Sequence, residues 1–374
     1  MNCILCESKG LRDLSRGSVL EGATSRADGV YPFYLVQCEW CGHVQKVLDD
    51  TWKSAMSSLY NRDYGVAKIA GRQIESVDGQ IVSRDTLAVR KISDLLNLSS
   101  AGSLLDIGCG AGRFLAAFAS EKQGWQVSGF DVGEVYEEEI ISIPRATFYS
   151  GQLDSIGRKF DLIALSHVAE HLTEPAKILR EAANLLSSNG RIVIRVPCFL
   201  SVYPDFFILE HCSHFVPETL AYALSLSGLK ITHQLLGLSA IEIGFVAERG
   251  EEPCITPNID RIREDAYRCL TWAQSLPHFI DENANGREFG IFGVGGAGIW
   301  LGAYFRGRLS FFVDEDPGKQ GHAFAACPII RPEDVPADAV VFVTLNTPSM
   351  AERVAARLRD RNPTRLFIAP PAIL

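Results

Sequence analysis

The chain has 374 residues, enough for two or three domains that each bury a core. With 36 Lys and Arg against 45 Asp and Glu, the formal net charge is -9, which argues against nucleic acid or an anionic membrane as the main partner. No apolar run approaches the ~20 residues that span a bilayer, so a membrane protein is not expected.

The sequence opens Met1-Asn2-Cys3, with no basic segment followed by an apolar one. No secretory signal is expected, and 10 cysteines in such a chain point to reduced thiols and a cytoplasmic home. Four of them form two knuckles, Cys3-x-x-Cys6 and Cys38-x-x-Cys41, separated by residues 7–37. Each knuckle presents two thiolates from one tight turn, and two such turns complete a tetrahedral Zn(2+) site. Four ligands leave no open position, so the site reads as structural; a redox pair or plain buried thiols is the alternative. Residues 31–36 read as a strand feeding the second knuckle. Residues 59–65, aromatic and polar together and including Tyr64, make a connector that can line a pocket, a packed linker being the default reading.

Strand and helix signals alternate over residues 76–249, which predicts an α/β domain with a mostly parallel sheet. Residues 86–96 have helical periodicity, and the first strand ends at Asp106-Ile107-Gly108-Cys109-Gly110-Ala111-Gly112. A helix over 113–121 follows, then a second strand ending at Gly129-Phe130-Asp131. Glycine tolerates positive φ and lets backbone approach a ligand, and a loop feeding a helix N-terminus offers free N–H groups. Asp131, at the second strand end, is placed to accept hydrogen bonds from two ribose hydroxyls. A third strand is expected near 147–149 and a fourth, uniformly apolar, over 160–165. Glu174-Pro175 opens the next helix, and Asn189-Gly190 is expected to end it before a fifth strand over 191–196. Runs 229–235 and 240–246 read as two final antiparallel strands.

A polar, breaker-rich stretch at 250–253 predicts a domain boundary. Beyond it, a long helix over 259–279 is expected to be interrupted near Pro277. Residues 288–293 then start another βαβ unit with the loop Gly293-Val294-Gly295-Gly296-Ala297-Gly298 and an acidic strand end at Asp314. This second fingerprint has two readings of its own: an NAD site, which would make the chain an oxidoreductase, or a fold that helps close a substrate site.

The spelling D-x-G-x-G-x-G at 106–112 resembles the first motif of class I S-adenosylmethionine-dependent methyltransferases. The resemblance implies that Asp106, Gly108, Gly110, Gly112 and Asp131 hold S-adenosylmethionine. Ser166-His167-Val168-Ala169-Glu170-His171-Leu172 resembles the family segment bordering the sulfonium, which implies cofactor contact for His167 and acceptor contact for His171. After the fifth strand comes Phe206-Phe207-Ile208-Leu209-Glu210-His211-Cys212-Ser213-His214-Phe215. Adjacent carboxylate and imidazole form a candidate base pair: His211 to take a proton, Glu210 to orient its ring or stabilise its cation. Glu210 and His211 tying the loop to its neighbours is the alternative.

Taken whole, the chain resembles the deoxysugar C-methyltransferases, which act on nucleotide-linked keto sugars. They join an N-terminal zinc module, a methyltransferase domain and a C-terminal Rossmann-like domain, which implies here a division into 1–75, 76–249 and 250–374. Glu210, His211, Ser213 and Phe215 match that family's catalytic stretch. Ile208, Leu209 and His214 depart from it, and Ile299 replaces the usual lysine of the C-terminal glycine-rich stretch. Tyr64 and His214 stand where acceptor contacts are expected. The resemblance implies a small-molecule acceptor, a nucleotide-linked sugar foremost, with O- or N-transfer to another metabolite as the alternative. A zinc-bearing RNA methyltransferase is a further alternative that the acidic balance disfavours. Oligomeric state is not legible.

Overall fold

The apolar runs of the central segment form one seven-stranded sheet, ordered Ala146–Ser150, Gly124–Asp131, Ala101–Ile107, Phe160–Ser166, Leu186–Pro197, Glu242–Arg249, Leu229–Gln234. The first five strands pair in parallel, and Glu242–Arg249 runs antiparallel to both its neighbours. A parallel sheet buried on both faces requires uniformly apolar strands, and Leu162, Ile163, Ala164 and Leu165 are fully buried. The computed structural model describes residues 1–25, 29–61, 74–77, 80–236, 240–251 and 255–372. Tyr64 lies outside the described residues.

Strand order reverses on either side of Ala101–Ile107, and the crevice beyond such a reversal is where α/β sheets bind ligands. The helices Arg84–Leu96 and Arg113–Glu121 cover one face. Helix Arg84–Leu96 is capped by Ser83 Oγ, which accepts from Thr86 N–H.

Two expectations fail in instructive ways. The helix opened by Pro175 ends at Asn184, so Asn189-Gly190 does not terminate it. Those residues belong to the strand Leu186–Pro197, whose register against Phe160–Ser166 shifts between Phe160 and Leu162. A Cβ at Gly190 would lie 2.8 Å from the Phe160 carbonyl oxygen, so glycine permits the irregular pairing here. The late helix runs unbroken over Ile259–Ala284, with Pro277 buried inside it. Proline there removes one backbone bond, a cost of about 3 kcal/mol. The buried stripe of Cys269, Trp272, Ala273, Leu276 and Ile280 offsets that loss through packing.

Residues beyond the helix form a six-stranded sheet, ordered Ala323–Phe324, Cys327–Ile330, Phe311–Val313, Phe289–Phe292, Val340–Phe342, Leu366–Ile368. At the N-terminus, Leu11–Asp13, Leu35–Cys38 and Val44–Lys46 form an antiparallel sheet whose fourth strand is Ser213–His214. The cysteine-bearing module is thereby sewn into the segment that follows the fifth central strand. Among the described residues, no helix is long and apolar enough to cross a membrane.

Candidate active site

A cavity of about 490 Å3 opens where the central sheet, the 205–214 segment and the C-terminal glycine loop meet. Asp106 and the 108–111 loop line it, as do Glu170, His171, Glu210 and His211, together with Val294, Gly296, Ile299 and Phe324 of the C-terminal segment.

The glycine loop is shaped by backbone that only glycine adopts cheaply. Gly108, Gly110 and Gly112 have φ of 70°, 46° and 71°. A Cβ at Gly108 would stand 2.6 Å from Val168 Cγ2, and one at Gly112 would stand 2.4 Å from Ile140 Cδ1. At Gly110 nothing lies within 4 Å, so that position faces open space. Asp131, at its strand end, accepts from Gly110 N–H through Oδ2 at 2.9 Å and so braces the loop. Asp106 is buried, and burial together with Asp85 raises its carboxyl well above the usual range.

His167 adopts φ of 58°, unusual outside glycine, and sits in an ion network. Its Nε2 lies 3.1 Å from Glu242 Oε1, and its Nδ1 lies 3.4 Å from Glu170 Oε1. Burial disfavours its charge, but Glu170 and Glu242 outweigh that and raise it to about 9. Arg195 Nη1 donates to Glu242 Oε2 at 3.2 Å, and its Nε donates to Ser166 Oγ. Burial opposes the charge on Glu242, yet His167 and Arg195 hold it down at about 2.

His171 and His211 face one another edge to face, ring centroids 4.7 Å apart. His171 Nδ1 donates to the Glu210 carbonyl at 3.2 Å. Glu170 is 1% exposed; its Oε1 faces His167 Nδ1 at 3.4 Å, and its Oε2 has no hydrogen-bond partner among the described residues. Glu210 Oε1 accepts from Ser25 N–H at 2.8 Å, whereas its buried Oε2 has no partner among the described residues. Glu170 and Glu210 thus each keep a buried carboxylate oxygen, Oε2, without a hydrogen-bond partner among the described residues, close to the two imidazoles.

Glu210 does not orient the His211 ring, contrary to expectation. Asp205 does, with Oδ1 2.7 Å from His211 Nδ1. The same carboxylate holds His214, Oδ2 to Nδ1 at 2.6 Å. His214 is 1% exposed and does not line the cavity, so the expected acceptor contact is corrected to a buried structural one. Its Nε2 lies 3.2 Å from Lys46 Nζ. Lys46 is fully buried and also donates to the carbonyls of Ile208 and His211. Burial opposes ionisation of Asp205, but His211 and His214 outweigh it and hold the carboxyl well below its usual range. On His211 burial acts against the proton, and Asp205 raises it overall. His214 falls to about 4 through burial and the neighbouring Lys46.

Lys46, Asp205, Arg195 and Glu242 escape the sequence reading. Asp205 and Arg195 did leave a trace: each is a charged residue set in an apolar stretch, Pro204-Asp205-Phe206 and Ile194-Arg195-Val196. Glu242 carries the same mark in Ile241-Glu242-Ile243, whereas Lys46, after Gln45, does not.

The four knuckle cysteines converge: Cys3 and Cys41 sulfurs are 3.7 Å apart, Cys6 and Cys38 are 3.6 Å apart, and all four lie within 4.8 Å. A tetrahedron with metal–sulfur bonds of about 2.3 Å has edges of roughly 3.8 Å, so the donor set fits zinc. Hydrogen bonds from Cys3, Cys41 and Cys6 push the Cys38 thiol far below its ordinary value, as one thiolate shared among thiols requires. In the C-terminal loop, Asp314 Oδ2 accepts from Val294 N–H at 3.1 Å and from Lys319 Nζ at 3.0 Å. Its Oδ1 accepts from Asp316 N–H.

Residues 83–234 match a family described as a methyltransferase domain. Curated relatives include a 37.1 kDa protein in transposon TN4556 of Streptomyces fradiae, 26% identical over 167 residues, covering 39% of this chain and 48% of that one. A ubiquinone biosynthesis O-methyltransferase of Stutzerimonas stutzeri (strain A1501) is 29% identical over 110 residues, covering 26% of this chain and 45% of the relative. The chain thus spans about half the length of the curated relatives it matches. Similar solved structures include the SAH-bound methyltransferase CalO1 of calicheamicin biosynthesis, with TM-score 0.40 and 16% identity over 53% of this chain and 58% of that one. The mitomycin 7-O-methyltransferase MmcR gives TM-score 0.41 and 18% identity over 52% and 58%. Together with the glycine loop and the sheet order, the family match makes residues 83–234 a class I S-adenosylmethionine-dependent methyltransferase domain.

Proposed function

We propose that the chain transfers a methyl group from S-adenosylmethionine to a small-molecule acceptor bound against Glu170, His171, Glu210 and His211, a nucleotide-linked keto sugar being the favoured class. One observation carries the reading: a single cavity is lined both by the glycine loop and by Glu170, His171, Glu210 and His211. The residues fit the cofactor, since Gly110 leaves open space, and the lining carboxylates Asp85, Glu170 and Glu210 offer partners to a cationic sulfonium and ammonium. Asp106, Gly108, Gly110, Gly112, Asp131 and His167 would hold it; when bound, it supplies an electrophilic methyl on sulfur.

His211, hydrogen-bonded through Nδ1, presents Nε2 as the base. It removes the proton from an acceptor hydroxyl or from the carbon next to a ketone. The resulting oxygen or carbon nucleophile would be the group that accepts the methyl which the bound cofactor supplies. Asp205 stabilises the imidazolium that forms, and such proton transfer is worth about 10²–10⁴ in rate. Glu170 and Glu210, with unfilled acceptor oxygens, favour an acceptor rich in hydroxyl donors, as a sugar is. The C-terminal glycine loop on the same cavity supports a phosphate-bearing acceptor.

The domain division 1–75, 76–249 and 250–374 is part of this proposal, as is structural zinc on Cys3, Cys6, Cys38 and Cys41 in a reducing, cytoplasmic setting. The oxidoreductase reading is weakened because both Asp314 oxygens, which would take a ribose, are engaged within the protein. The test is calorimetry with S-adenosylmethionine and S-adenosylhomocysteine, then methyl-labelled cofactor with a panel of nucleotide-linked sugars, locating the label by NMR. His211→Ala should lower turnover at least ~10²-fold with cofactor affinity kept. Unchanged turnover removes His211 from the chemistry.

A further inference from the structure

We propose that Lys46, carried in by the cysteine-bearing module, fixes the tautomer of His211 through His214 and Asp205, so that the Nε2 lone pair of His211 is the one facing the cavity. The inference rests on the reading of His211 as the acceptor base. It assigns positioning roles to three residues that touch neither cofactor nor acceptor.

The argument is a proton inventory. An ammonium group has three N–H donors and no lone pair. Lys46 has one partner for each: the Ile208 carbonyl at 2.9 Å, the His211 carbonyl at 2.5 Å and His214 Nε2 at 3.2 Å. Because His214 Nε2 receives, the single proton of a neutral His214 must sit on Nδ1, which donates to Asp205 Oδ2 at 2.6 Å. An ionised carboxylate only accepts. Its remaining oxygen, Oδ1, therefore takes a proton from His211 Nδ1 at 2.7 Å. Neutral His211 then carries its one proton on Nδ1, and Nε2 is left as a lone pair. Burial lowers Lys46 only to about 8, so at neutral pH it is an ammonium, and with Asp205 ionised every link then admits one direction.

Lys46 also stands as a positive charge beside this cluster, in which His211 and His214 hold Asp205 ionised. Asp205 is 1% exposed, and an isolated buried carboxylate would take up a proton. A protonated Asp205 could donate to His211 Nδ1, which would move the ring proton to Nε2 and remove the base. Lys46 faces Asp205, Glu210 and Cys212 as well as His214, and lies 5.0 Å above the Phe33 ring. It is the last residue of Val44–Lys46, the strand that pairs with Ser213–His214, so the module places the ammonium by backbone pairing. The identity of the base site is thus set from more than 150 residues away in sequence.

The decisive experiment is nitrogen-detected histidine NMR on the full protein, at a pH where His211 is neutral, with S-adenosylhomocysteine calorimetry on every sample. The native protein should show protonated Nδ1 and unprotonated Nε2 at His211. Lys46→Met should populate the Nε2-protonated form and lower kcat about 10²-fold. Asp205→Asn, close in shape and therefore the safer variant for folding, should invert the tautomer and lower kcat ~10³-fold or more, with KM and cofactor affinity within about threefold. Native His211 protonated on Nε2, or a native-like tautomer and kcat in both variants, overturns the proposal. Absence of cofactor binding in the native protein instead overturns the methyl-transfer reading, and the tautomer can still be read.

Discussion

Gly110→Ala and Gly108→Ala separate ligand binding from folding at one loop. Both residues sit in the left-handed region, where a Cβ costs roughly 1–2 kcal/mol. At Gly110 the added methyl meets nothing within 4 Å, so this conformational cost is the whole folding penalty. For a domain of this size that amounts to roughly 2–8 °C in Tm. If the cofactor presses on this backbone, the same methyl occupies its space, and affinity for S-adenosylhomocysteine should fall at least ~100-fold, about 2.7 kcal/mol. At Gly108 the methyl would stand 2.6 Å from Val168 Cγ2, so overpacking of ~1–3 kcal/mol adds to the strain, and stability should fall by ~2–5 kcal/mol. Adding Val168→Ala to Gly108→Ala should recover part of that loss, because it removes the atoms struck. Differential scanning calorimetry reads the stability and titration calorimetry reads the affinity. A Gly110→Ala protein that binds within threefold of native would refute cofactor placement on this loop.

Three further outcomes follow from named contacts. Cys38→Ser should abolish stoichiometric zinc, measured by elemental analysis, and raise hydrogen exchange over 209–214, because Val44–Lys46 hydrogen-bonds Ser213–His214; unchanged exchange there would contradict the coupling. His167 has a folded value of about 9, above its ordinary 6.5, so its contribution to stability is complete below pH ~6.5 and is lost as pH rises through ~9. His167→Ala should therefore flatten the stability profile across that window in pH-dependent denaturation, and an unchanged slope would show the ion network to be idle. NADH should give no saturable fluorescence change, since Asp314 is already engaged by Val294, Lys319 and Asp316; a saturable titration would reopen the redox reading.

What the sequence made legible was local. The 106–112 loop, the 113–121 helix and the apolar strands are each specified by neighbours a few positions apart, and periodicity registers them. Pro277 misled because propensity was set against a long buried stripe, and the stripe prevailed. Gly190 misled because a glycine after a helix and a glycine in an irregular strand are spelled alike. His211 was found beside Glu210, but adjacency in sequence is not adjacency of side chains: Glu210 turns to Ser25, and the ring answers to Asp205. Lys46 was invisible for a stricter reason, since a lone lysine between Gln45 and Val47 reads as solvated until its partners are known.

The 203–215 segment is held from every quarter of the chain. Phe207 stacks on Trp300 with centroids 4.0 Å apart, Tyr203 N–H donates to Asn346, and Leu209 N–H donates to Ala23. Trimming the protein to the portion that matches the methyltransferase family would keep the cofactor crevice yet strip away the scaffolding of that segment. Such a trimmed chain should keep its affinity for S-adenosylhomocysteine and show faster hydrogen exchange over 203–215, the price of losing its outer supports.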